Sequence, residues 1–160
     1  MSLAHILHAA SFAATKHQSQ RRKDRAASPY INHPLAVAEV FRRHGVTDSV
    51  VIQAATVVME VTDDKSLPKE ERKRLQIEHA AGSSKAAKLV KVADKICNAR
   101  DVSENLPAGW GIDRRRECLE WTRQVVDHFR VVNPGLEKHF DELLREVLRP
   151  PATEGRAPTE

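Results

Sequence analysis

Aromatic residues make up only 4% of this 160-residue chain, so any core has to be built from Leu, Val, Ile and Ala. Cysteine is almost absent. The two present, Cys97 and Cys118, form no disulfide framework, and a reducing compartment is the expected setting. Glycine is scarce, with six residues, and neither a Gly-rich phosphate loop nor a CxxC pair occurs. No apolar run reaches the roughly 20 residues that a bilayer span requires. The greasiest stretch, Val50 to Val61, is interrupted by Gln53 and Glu60. No acidic residue precedes Asp24, and the segment before it has a helical pattern, which is the look of a mitochondrial presequence. Ile6, Ala9, Phe12 and Ala13 nevertheless make a stripe expected to face a core, and there is no secretory n-region. The cytoplasm is therefore the expected location, with the mitochondrion as the alternative.

What is present is a globular composition, 41% hydrophobic and 30% charged, long enough for one domain with a real core. The net charge is +4, with basic clusters at Arg21, Arg22 and Lys23 and at Arg114, Arg115 and Arg116. Such a balance favours anionic ligands. It fits nucleic acid poorly, because aromatics for stacking are few and the basic groups form no continuous stripe.

The most informative stretch is Lys88 to Asp101, KLVKVADKICNARD. Leu89, Val90, Val92, Ala93, Ile96 and Cys97 recur at three- and four-residue spacing, the mark of a helix with one buried face. Lys91, Asp94, Asn98 and Asp101 fall on a polar line beside that face. An Asp next to a core-facing stripe is costly unless paired. Asp94 therefore either pairs with Lys91 or Lys95 at the edge of the stripe or meets a metal or another donor.

All recognisable segments read as helices, and no strand alternation or internal repeat appears. Leu3 to Lys16 is a first amphipathic helix. His17 to Asn32 is a polar loop whose adjacent Arg21, Arg22 and Lys23 suit phosphate groups. Pro34 marks the start of a second helix and Gly45 its end, with Leu35, Val37, Ala38, Val40 and Phe41 inward and His33 just before it. A third helix runs from Val50 to Val58, capped by Thr47 or Asp48, and Thr62-Asp63-Asp64 breaks it. Pro68 with Glu70 and Glu71 begins another, which Gly82 stops. The central helix extends from about Ser84 to Glu104. Pro107, Gly109 and Gly111 form a loop. A helix from Asp113 to about Val131 and one from Pro134 to about Leu148 complete the set, and Pro150 to Glu160 reads as a tail.

Three segments together, FAATKHQSQRRKD (Phe12 to Asp24), PYINHPLAVA (Pro29 to Ala38) and LVKVADKICNARD (Leu89 to Asp101), resemble the HD-domain hydrolases of the RelA/SpoT type. The likeness is nearest to the small stand-alone metazoan branch. VTDDKSLPKEERKRLQIEHA (Val61 to Ala80) and WGIDRRRECLEWTRQVV (Trp110 to Val126) fit it too. The resemblance implies an all-α, HD-domain-like helical bundle over residues 1–149, followed by a flexible tail over 150–160. It implies one Mn²⁺ and removal of the 3′-pyrophosphate of guanosine tetraphosphate and pentaphosphate, or of the 2′-phosphate of NADPH. By the same likeness His33 matches the first metal ligand and Asp94 the last. Arg22 and Lys23 match basic residues near the substrate phosphates, Asn98 a polar residue on the substrate side, and Tyr30 and Asn32 residues framing the pocket. Near Cys118 the family often carries an aromatic beside the base.

The chain departs from that pattern in one place. The family motif is HDxxED, two adjacent ligands followed by two acids about a turn later. Here Gln53-Ala54-Ala55 runs through Thr56-Val57-Val58-Met59-Glu60 to Val61-Thr62-Asp63-Asp64, and neither a His-Asp nor a Glu-Asp dipeptide occurs anywhere. Matching sequence on both sides implies an internal deletion between about 55 and 61, hence an incomplete bundle. Two of four expected metal ligands are then missing, with both acids, and catalysis is expected to be impaired. The alternative is a non-catalytic nucleotide-binding or dominant-negative form.

Overall fold

The computed structural model describes residues 3–47, 66–78, 82–105, 107 and 109–149. Six helices fall within them: α1 (Leu3–Lys16), α2 (Asn32–Arg43), α3 (Lys69–Glu78), α4 (Lys85–Glu104), α5 (Ile112–Asp127) and α6 (Pro134–Val147). No strand occurs among the described residues, and the fold is all-α. The expected helix over 50–58, the breaker at 62–64, the junction between about 55 and 61 and the 150–160 tail lie outside the described residues.

The most buried element is α4. Ser84 caps it by accepting a hydrogen bond from the Ala87 amide, 3.2 Å away, which satisfies one of the amides a helix start leaves open. From Leu89 to Val102 its apolar stripe is buried, and α2, α5 and α6 all pack against it. Phe41, Ile96, Leu119, Leu136 and Phe140 are fully enclosed between these helices. Burying side chains of this size contributes about 1.5–3 kcal/mol each. The shortage of aromatics is met by placing Phe41 and Phe140 at the centre. On α6, Pro134 occupies the first turn and the Asn133 side chain accepts from the Leu136 amide. Gly45, at φ +66°, carries the chain out of α2 in a conformation that suits glycine.

Several sequence expectations are corrected. Among the described side chains of α1 only Ala13 is buried, while Ile6 and Phe12 are 41% and 44% exposed. Its stripe is therefore not a core stripe among the described residues. Leu35 likewise points outward, because Val37, Val40 and Phe41 define the buried face of α2. That helix begins at Asn32, two residues before Pro34. The helix expected to reach Val131 stops at Asp127. Val131 takes a φ of +70° and is 95% exposed, a backbone state unfavourable to a β-branched residue that ends the element before the turn into α6.

One contact ties the two ends of the fold. His44, at the end of α2, and His139, on α6, stand with Nε2 and Nδ1 2.8 Å apart. One ring must donate and the other accept, so the pair requires at least one neutral imidazole. Burial lowers the His139 pKa, with the charges of His44, Arg100 and Arg43 acting in the same direction against Glu142. The unfolded imidazole has a pKa near 6.5. The stabilisation is therefore present above that value and is lost as pH falls through it, because the unfolded chain takes up the proton more readily. Urea midpoints of the native chain should fall more steeply between pH 7.5 and 5.5 than those of His139→Gln. Parallel slopes would show that the pair carries no pH dependence.

Candidate functional site

The loop between α1 and α2 is built rather than slack. Arg22 N donates to Ser28 O at 2.9 Å, Tyr30 N donates to Gln20 O at 3.1 Å, and Arg21 bridges to Pro29. Asp24 Oδ1 accepts from the Ser28 amide at 2.9 Å, and that bond holds the Asp24 carboxyl below the usual range. His17 is buried under the loop, with its ring 4.8 Å from that of Tyr30. This framework sets Arg21, Arg22 and Lys23 at a cavity of about 470 Å³, within the usual range for small-molecule sites.

The α4 side of that cavity carries Lys91, Asp94, Asn98 and Asp101, the polar line read from the sequence. His33, at the start of α2, is buried against it, and its Nε2 donates to Asp94 Oδ1 at 2.9 Å. Asn98 donates to the same oxygen at 3.0 Å, and Lys95 Nζ lies 3.5 Å from Oδ2. Burial pushes the Asp94 carboxyl towards its neutral form. The Lys95 charge, the His33 bond and Lys91 together outweigh it, and the group stays ionised well below the ordinary carboxylate range. Lys95, itself buried, stacks 4.4 Å over the Trp121 ring. Arg22 reaches Asp101 Oδ2 at 2.5 Å, and that oxygen is 3.9 Å from His33 Nδ1, which has no hydrogen-bond partner among the described residues.

Arg22, Lys23, Tyr30, His33, Asp94 and Asn98 thus share one cavity. Asn32 does not; it is exposed at the first position of α2. Sequence reasoning passed over Trp110 and Trp121, which line the cavity beside Cys118 and Thr122. The available signal was spacing: Cys118, Trp121 and Thr122 recur three and four apart on α5, so a pocket beside Cys118 has to include them. The Trp110 ring lies 4.7 Å from the Arg114 guanidinium.

An imidazole nitrogen and a carboxylate oxygen are suitable donors for a first-row divalent ion. Here the two are hydrogen-bonded to each other, and no group of three or more His, Cys, Asp or Glu able to hold an ion occurs among the described residues. The described residues therefore do not by themselves fit a catalytic metal. What they fit is an anion. Three cations on a braced loop meet donors from Asn98 and Lys91 across a partly enclosed space.

The architecture, an all-α bundle with this cavity between the α1–α2 loop and the central helix, is that of the HD-domain proteins. A solved structure described as a metazoan orthologue of SpoT that hydrolyses ppGpp and plays a role in starvation responses superimposes with a TM-score of 0.84. It is 40% identical, and the match covers 91% of this chain and 97% of that one. No protein-family model matches the chain. Among curated proteins, the guanosine-3′,5′-bis(diphosphate) 3′-pyrophosphohydrolase MESH1 of Xenopus tropicalis is 44% identical over 167 positions, covering 88% of this chain and 93% of the relative. MESH1 of Homo sapiens is 44% identical, covering 89% and 94%, and that of Drosophila melanogaster 41%, covering 89% and 94%. The chain belongs to this MESH1 family. No described helix is long and apolar enough to cross a membrane.

Proposed function

We propose that this chain binds the nucleotide ligands of its family, guanosine tetraphosphate or the 2′-phosphate end of NADPH, and has lost most of its relatives' Mn²⁺-dependent hydrolysis. The observation that carries this reading is the cavity itself. Arg21, Arg22 and Lys23 are held at its mouth, while His33 and Asp94, the only members of the expected ligand set found in the sequence, close on each other at 2.9 Å. The rest of that set and both acids have no counterpart, since no His-Asp or Glu-Asp dipeptide exists in the chain. An internal deletion would account for this, and it is supported by a match to the Xenopus relative that runs over 167 positions yet takes in only 88% of this 160-residue chain.

Binding then rests on charge and hydrogen bonding. Arg22 and Lys23 grip phosphate oxygens, Asn98 offers an amide, and Tyr30 walls the site. With Cys118 where the family often has an aromatic, the Trp110 and Trp121 rings that line the cavity beside it are the aromatic surfaces left for the base. Low cysteine usage and the nucleotide ligands fit the cytoplasm.

Calorimetric titration with guanosine tetraphosphate and with NADPH, in EDTA and then in Mn²⁺, tests the reading. Saturable binding is expected in EDTA, with little gain from the metal. Lys23→Ala should weaken it by about 10- to 100-fold, since a charge-assisted contact contributes about 1.5–3 kcal/mol. A folded chain that binds neither nucleotide would overturn the proposal.

A further inference from the structure

Among the three loop cations, Arg22 is the least exposed and the one hydrogen-bonded to a carboxylate, while Arg21 donates to the backbone oxygens of Gln18 and Gln20. Arg21 and Lys23 are open to solvent, whereas the Arg22 and Asp101 side chains retain only 18% and 28% of their exposure. The pair is therefore screened less than a surface ion pair. Asp101 is the only side-chain hydrogen-bond partner of Arg22 among the described residues, at 2.5 Å from its guanidinium. It stands one turn beyond Asn98 and two beyond Asp94, on the cavity side of α4. A carboxylate and a phosphate present matching oxygens to a guanidinium fork.

We propose that Asp101 is an internal stand-in for the ligand's phosphate, a specificity-determining residue that holds Arg22 until a sufficiently charged anion displaces it. This rests on the reading of the cavity as a phosphate site. Any incoming phosphate has to break the Arg22–Asp101 pair and tolerate the carboxylate that remains. A diphosphate, with more charge and more oxygens, meets that cost and also reaches the neighbouring cations. A single inorganic phosphate meets it poorly. Asp101 therefore lowers affinity for all phosphates and most for the weakly charged ones. A brace that merely presented Arg22 to the ligand would have the opposite sign.

The test uses inorganic pyrophosphate and inorganic phosphate, titrated calorimetrically into the full chain in EDTA, with folding checked by circular dichroism. Asp101→Asn should bind pyrophosphate roughly tenfold more tightly and phosphate by a larger factor, through lost competition and lost like-charge repulsion. Asp101→Glu, which keeps the carboxylate, should stay near the native affinity. The gain should shrink to about twofold or less when Arg22 is also changed to Gln, because the pair and not the general field carries it. Weaker binding by Asp101→Asn would overturn the proposal and make Asp101 a brace. An equal gain with or without Arg22 would also overturn it. No pyrophosphate binding by any folded variant would instead sink the phosphate-site reading, and this inference with it.

Discussion

Incubated with guanosine tetraphosphate and excess Mn²⁺, the folded chain should release pyrophosphate at least ~10³-fold more slowly than a MESH1 relative assayed beside it. A catalytic divalent ion makes hydroxide available near neutral pH by bringing the pKa of bound water from about 15.7 to about 7 in favourable sites. That requires several protein ligands and one open position. His33 and Asp94 are two, and in this arrangement each is the other's hydrogen-bond partner. On the proposed reading, the Glu-Asp pair of the resembling family, a dipeptide this sequence does not contain, would orient the water or carry its proton, a contribution of typically ~10²–10⁴. Even a site that reassembled with an error of ~1 Å would lose ~10². These losses compound, and binding by Arg22 and Lys23 replaces none of them. Circular dichroism run alongside separates a folded, inactive chain from an unfolded one. A Mn²⁺-dependent rate within tenfold of the relative would reject impairment. It would assign the missing ligand roles to acids in 48–65, where Glu60, Asp63 and Asp64 are the candidates.

The parts of this site that were legible in the sequence are those set by local periodicity. Asp94, Asn98 and Asp101 fall three and four apart on one helix, so their common face followed from spacing, and the cost of burying Asp94 announced that it would have partners. The partners themselves lie far off in the chain. His33 is 61 residues from Asp94, and Arg22 is 79 from Asp101. No periodicity links such positions; the likeness to a family picked out His33, and the fold supplied the contact. Spacing offers Lys95 as a partner for Asp94, and it stands 3.5 Å from Oδ2; its burial comes from Trp121 on α5, which covers its stem and faces its charge. The errors share a cause. The stripe on α1 and the outward Leu35 carry the right spacing for a core, but spacing states which residues share a face and not whether another element arrives to cover it. The overlong α5 has a different origin. The Val-rich sequence continues a helical pattern past Asp127, and the chain breaks it with a left-handed Val131 so that α6 can return along α4.

Asp94→Ala should destabilise the metal-free chain by about 3–5 kcal/mol, a large fraction of the 5–15 kcal/mol that domains of this size typically possess. The carboxylate already has three partners in the fold. It accepts from His33 and Asn98 and stands 3.5 Å from the buried ammonium of Lys95. Its removal leaves that ammonium without a countercharge and two donors without an acceptor, the condition in which a broken buried pair costs most. Lys95→Met in the same chain should recover much of the loss, because the charge goes and a thioether can still pack on Trp121. Urea unfolding in EDTA measures all three proteins. The pH dependence carries the same sign. The Asp94 carboxyl is held low in the fold, so its contribution is present above the unfolded value near 4 and is lost as pH falls below it. The gap between native and Asp94→Ala chains should therefore narrow below about pH 4. A residue kept only to hold a metal would behave otherwise: without the ion its removal would change stability by less than about 0.5 kcal/mol, the ordinary range for a site that makes no structural contact. That result would return Asp94 to a purely ligating role. The expected loss would give Asp94 a structural role independent of any metal, since the central helix cannot bury Lys95 without it.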